Sequence, residues 1–239
     1  MSMFPESQAR RIELEYGTDD RAVFNFFNAV YAWMAVGLAV TAVVGLLIAR
    51  SQTALQVIYG TKGMPLIIMA GAFALSYAIQ VAAMRISAAA GIALFLLYSA
   101  MMGALFSGIY IIYPVSTLVS SFFLTAGLFA VLSIAGFVIK RDLGTMGRVL
   151  IMCAWALVAG SIVNYFVANT AVDWFLTYGF LAVFIGLTIY YTQNLRILAA
   201  DTQGNPALAA RLAVIGSLQL YVAFLNMFLS ILRILGNRK

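Results

Sequence analysis

The chain has no histidine, one cysteine and only eight acidic residues among 239. The missing imidazole removes histidine general-base catalysis, His-ligated metals and the usual physiological pH switch. Cys153 stands alone inside an apolar run, where it reads as a buried thiol. No intramolecular disulfide can form, and the redox compartment stays open. Glu6, Glu13, Glu15, Asp19 and Asp20 sit in the N-terminal tail, while Asp142, Asp173 and Asp201 fall in short connections between apolar runs. An enzyme needs a nucleophile with a base, or a metal centre, and the apolar runs offer neither. The chain therefore reads as a non-enzyme with no cofactor.

What the chain has in quantity is apolar surface. It is 64% hydrophobic and 9% charged, with a mean hydropathy of +1.01, whereas soluble domains carry roughly a quarter charged residues. A net charge of +6 would suggest nucleic acid in a soluble protein. Here the basic residues are scattered singly at the ends of apolar runs, where they set topology, and no nucleic-acid partner is expected.

The runs cover residues 26–49, 64–84, 86–113, 115–139, 149–167, 174–192 and 212–235. A membrane crossing needs about 20 apolar residues. With no water to satisfy the backbone, runs of this length are helices, since barrel strands are about ten residues of alternating character. The fold class is all-α, a polytopic seven-helix membrane bundle, with a polar tail at 1–25 and one transmembrane domain at 26–239. Arg85, Tyr113-Pro114, the cluster Lys140-Arg141-Asp142 with Gly144 and Gly147, and Gly204-Asn205-Pro206 mark the breaks. A cytoplasmic N-terminus puts Arg10, Arg11, Arg21, Arg85, Lys140, Arg141, Arg148, Arg196 and Arg211 inside. It leaves Arg50, Lys62, Arg233, Arg238 and Lys239 opposite. Seven spans then put the C-terminus outside, unless the last helix dips in and returns. The first residues have neither a signal-peptide nor a transit-like layout, which fits a bacterial inner membrane.

Small residues recur at every fourth position: Gly37, Thr41 and Gly45; Ser99, Gly103 and Ser107; Ala156 and Gly160; Ala182 and Gly186. In lipid such spacing lets helix backbones approach closely. Trp174 and Tyr178 open the sixth run as an interfacial anchor. The last run carries Gln219, Ala223, Asn226, Ser230 and Arg233 at spacings of four, three, four and three, so they share one helical face. That stripe is either hydrogen-bonding glue between helices or the lining of a wet cavity. Arg233 has a third reading, a side chain that snorkels to the interface. Tyr190-Tyr191-Thr192-Gln193 gives the sixth run a polar close, either an interfacial cap or a site facing the stripe.

Several segments resemble the Bax inhibitor-1 family of membrane proteins. They are Phe27-Asn28-Ala29-Val30-Tyr31 with Gly37-Leu38; Tyr98-Ser99 through Gly103 and Ser107; and Phe123-Leu124-Thr125-Ala126-Gly127 through Gly136 to Lys140-Arg141-Asp142-Leu143. The strongest are Gly186-Leu187 through Tyr190-Tyr191-Thr192-Gln193, and Leu220-Tyr221-Val222-Ala223-Phe224-Leu225-Asn226 through Leu232-Arg233-Ile234-Leu235-Gly236. The resemblance implies a last helix wrapped by the other six. It also implies a calcium-permeable leak tuned by pH, suppression of stress-induced cell death or, in bacteria, modulation of a membrane-bound AAA protease. In the calcium-leak members two aspartates, on the sixth and seventh helices, form the pH-sensing closure. Tyr191 and Ala223 stand at those positions here.

A large residue facing a small one fills roughly the volume of two aspartates while removing their charge and their proton. The expected function is a leak-type protein of membrane and calcium homeostasis that lacks the paired-aspartate sensor. The alternative is a modulator that docks its N-terminal tail on a membrane protease or another membrane protein.

Overall fold

The computed structural model describes residues 20–82, 85–202 and 205–236. Among them the regular structure is helical, and seven helices are long and apolar enough to cross a membrane. They are α1 (Asp20–Ala49), α2 (Met64–Ala82), α3 (Ala88–Phe106), α4 (Val115–Val138), α5 (Gly144–Val167), α6 (Thr170–Asp201) and α7 (Pro206–Gly236). A short helix at Gln52–Leu55 runs into a π turn at Gln56–Gly60, and one turn at Ile109–Ile112 carries the third span to Ile112. The all-α, seven-span reading of the sequence is the architecture observed.

The bounds differ from the hydropathy runs where polar chemistry serves the helix. α1 is already helical at Asp20, the first described residue, inside the stretch read as tail. α5 starts at Gly144, so Gly144 and Gly147 are helical rather than loop. Gly147 lacks a side chain because the Tyr190 ring lies there: a Cβ would fall 2.4 Å from it. α6 begins after Asn169, whose side chain accepts from the Ala171 and Val172 N–H groups. It continues to Asp201, so Tyr190 to Gln193 lie within the helix and do not close it. Asp173 accordingly lies in the first turn of α6, and Asp201 ends that helix; neither is in a connection. α7 opens at Pro206, with the Asn205 side chain accepting from the Leu208 N–H 3.0 Å away.

Large apolar side chains such as Leu47, Ile67, Phe123, Phe166 and Phe175 point outward around the bundle, a surface suited to hydrocarbon rather than water. α7 is the most enclosed helix, with 61% of its most apolar stretch buried against at most 28% in any other. It packs on α1, α2, α3, α4 and α6, while α5 leans chiefly on α6. That peripheral place exposes Cys153 along with Met152 and Trp155, which corrects the reading of a buried thiol.

The small-residue repeats mark the closest approaches. Gly45 and Gly103 let α1 and α3 touch: a Cβ on Gly103 would sit 2.7 Å from the Thr41 carbonyl oxygen. The Thr41 hydroxyl lies 2.9 Å from the Ser99 carbonyl oxygen and pairs with the Tyr221 hydroxyl, joining α1, α3 and α7 at one point. Gly136 does the same for α4 and α6, where a Cβ would meet the Ile189 carbonyl oxygen at 2.5 Å.

Candidate functional site

A cavity of about 540 Å³ opens between the ends of α5, α6 and α7, with Ser161, Asn164, Asp173, Thr177, Asn226 and Arg233 among its walls. Antiparallel packing brings the first turn of α6 beside the last turns of α7. Arg233 donates from Nη2 to Asp173 Oδ2 at 2.9 Å, and its Nη1 stands 3.4 Å from the Thr177 hydroxyl. The other carboxylate oxygen accepts from Asn164 Nδ2, also at 2.9 Å. Asn164 in turn bonds the Asn169 backbone at both N–H and carbonyl, so α5, the connection and α6 form one network. Arg233 is thus an ion-pair partner that ties α6 to α7. Trp174 and Tyr178 stack beside this mouth with ring centroids 5.7 Å apart.

The stripe on α7 divides. Asn226, Ser230 and Arg233 line the wedge, whereas Ala223 is wholly enclosed. Asn226 and Ser230 bond back to the Val222 and Asn226 carbonyls of their own helix, and the Gln219 side-chain oxygen is buried without a partner. From Arg233 to Asn226 the wedge descends seven residues, about 10 Å at 1.5 Å per residue. Phe180 lines the wedge and stacks on Phe184 of the same helix, Thr188 lies beside Met227, and further along α7 Ala223 and Leu220 are fully enclosed.

Thr188 of α6 lies beside Met227 of α7, and Leu195 of α6 fills the space beside Gly216 of α7; Tyr191 falls between the first members of these contacts in the chain and Ala223 between the second. Tyr191 is partly buried, with its ring tilted against Tyr190 at 5.5 Å. Gln193 serves elsewhere. Its Nε2 donates to the Ile139 and Arg141 carbonyls and its Oε1 accepts from the Leu143 N–H, so the side chain clamps the α4–α5 loop.

A whole-chain architecture with this order of segments can be compared with known proteins. The family model described as "Inhibitor of apoptosis-promoting Bax1" matches residues 23–239. The chain belongs to the Bax inhibitor-1 family. Among its relatives, the inner membrane protein YbhL of Escherichia coli K12 is 36% identical over 216 residues, covering 90% of this chain and 92% of YbhL. An uncharacterized protein of Deinococcus radiodurans is 38% identical over 218 residues, 91% and 92% of the two chains. One of Borreliella burgdorferi is 35% identical over 214 residues, 90% and 92%. This Bax inhibitor-1 family chain is therefore an integral membrane protein. The wedge is hidden from the sequence because hydropathy places Asp173 in a connection, whereas it stands in the first turn of α6. The available signal was the Asn169 cap, which places Asp173 in a first helical turn at the same end of the bundle as Arg233.

Proposed function

We propose that this Bax inhibitor-1 protein is a non-enzymatic, leak-type protein of membrane calcium homeostasis whose leak is held small by an uncharged α6–α7 seam at Tyr191 and Ala223. The observation that carries the reading is the dead end of the wedge. Polar groups lead from the mouth to Asn226, and further along α7 the side chains of Ala223 and Leu220 are fully enclosed. Calcium favours six to eight oxygen ligands including carboxylates. The wedge supplies one carboxylate, already paired with Arg233, which suits slow passage and not storage. The excess of basic residues at the other end supports a cytoplasmic N-terminus, as in a bacterial inner membrane.

With no acid at 191 or 223, the leak is nearly independent of pH between about 6 and 8, the range in which a raised carboxylate titrates. The test is calcium flux into liposomes holding the purified protein. Wild type gives a small, flat pH profile. Tyr191→Asp with Ala223→Asp introduces a pH-dependent leak, because two nearby carboxylates repel unless they share a proton, and each single change does less. A steep pH dependence in wild type would overturn the reading. The alternative, docking of the tail on a membrane protease, concerns residues 1–25, of which 1–19 lie outside the described residues. It takes over if wild type carries no flux and a protease is retained through residues 2–21.

A further inference from the structure

α1 and α4 run antiparallel and meet through rings, Phe27 on Phe137 at 5.5 Å and Tyr31 on Phe129 at 6.4 Å between centroids. Between them lies a cavity of about 620 Å³ that shares no wall with the polar wedge. Its lining is almost wholly apolar, with Met34 and Leu38 on one side and Phe122 and Phe129 on the other. Two buried hydroxyls border it: that of Thr192 donates to the Thr188 carbonyl at 2.9 Å, whereas that of Ser133, only 9% exposed, has no hydrogen-bond partner. A buried hydroxyl in an apolar groove invites an acceptor from whatever fills that groove.

The groove ends beside a cation. The Arg196 guanidinium lies over the Phe137 ring, 5.3 Å from its centroid, and Nη1 donates to the Phe137 carbonyl at 3.3 Å. Arg196 is exposed, and a guanidinium has five N–H donors in a planar fork that matches phosphate. Along α4, Ser133 lies one turn from Phe137, about 6 Å, and Phe122 about 16 Å further, at 1.5 Å per residue. The order is a cation, then a buried hydroxyl without a partner, then a long apolar trough. That is the layout of an anionic glycerophospholipid: phosphate, ester carbonyl, acyl chain. A partner helix or a second copy seated here by its apolar face would leave the Ser133 hydroxyl and the Arg196 charge unmatched.

We propose that the α1–α4 groove binds one anionic phospholipid, with its phosphate on Arg196, an ester carbonyl accepting from Ser133 and an acyl chain along Met34, Leu38 and Phe122. Native mass spectrometry of the full-length protein, titrated with palmitoyl-oleoyl phosphatidylglycerol or phosphatidylcholine, tests it. Wild type retains one phosphatidylglycerol in preference to phosphatidylcholine. Arg196→Gln lowers that retention about five-fold, the effect of roughly one basic residue at an anionic surface, while Arg196→Lys keeps most of it. Ala130→Phe points a ring into the groove from an exposed position, and it loses both lipids while the protein elutes from size exclusion as wild type does. Equal retention of the two lipids by wild type, or undiminished phosphatidylglycerol on Arg196→Gln, overturns the proposal. So does a dimer that Ala130→Phe dissociates, since a second copy would then occupy the groove.

Discussion

Arg233 of α7 reaches Asp173 of α6 at 2.9 Å across the mouth of the polar wedge, with Asn164 of α5 on the second carboxylate oxygen. Both partners are close to half exposed, 49% and 43%. Water therefore screens the pair, and exposed pairs typically contribute about 0.2–1 kcal/mol. Its role is to hold the register of three helix ends and to keep the mouth near neutral, more than to stabilise the bundle.

A double-mutant cycle separates these effects. Asp173→Asn and Arg233→Gln are expected to couple by no more than about 1 kcal/mol in unfolding measurements. On the leak reading their effects on calcium entry oppose one another. Arg233→Gln leaves the carboxylate alone and raises flux, and Asp173→Asn leaves the cation alone and lowers it. Flux changes of the same sign would show that the mouth charge does not govern entry.

The close helix approaches make a second prediction. Gly103→Ala and Gly136→Ala drive a Cβ against backbone oxygens at 2.7 and 2.5 Å, which no side-chain rotation relieves, so each should destabilise by about 1–3 kcal/mol. Gly127 has nothing within 4 Å of its Cβ position, and Gly127→Ala should be neutral or slightly stabilising in a helix. Thermal unfolding in one detergent orders the three.

Gln193 makes a third. Gln193→Leu removes the acceptor of the Leu143 N–H and the donor to the Ile139 and Arg141 carbonyls. Leaving such groups without partners costs about 1–3 kcal/mol. Hydrogen exchange should rise at Leu143 and in the first turn of α5. Unchanged protection there would show that the clamp is dispensable.

Topology gives the fourth. On a Cys153→Ser background, required because the native thiol is exposed on α5, single cysteines in the α2–α3, α4–α5 and α6–α7 connections should resist an impermeant thiol reagent added outside. Labelling of the Lys140 loop from outside would reverse the orientation.

The sequence by itself determined the helical class, the seven crossings and the family, since each follows from local properties. A run of apolar residues either satisfies its backbone alone in lipid or does not, and ordered motifs survive without knowledge of their contacts. It also supplied the small residues at Gly45 and Gly103, though not the close approach at Gly136. Tertiary structure decided which faces meet. The regular spacing of Gln219, Ala223, Asn226, Ser230 and Arg233 gave no sign that only its last part lines a cavity. Nor did the polar character of Gln193 say that it holds a loop, or the apolar run around Cys153 that the thiol is exposed. Asp173 with Arg233, and Phe137 with Arg196, are paired by how the helices pack and rotate, and that is set by close approaches between residues far apart in the chain, which no local pattern encodes.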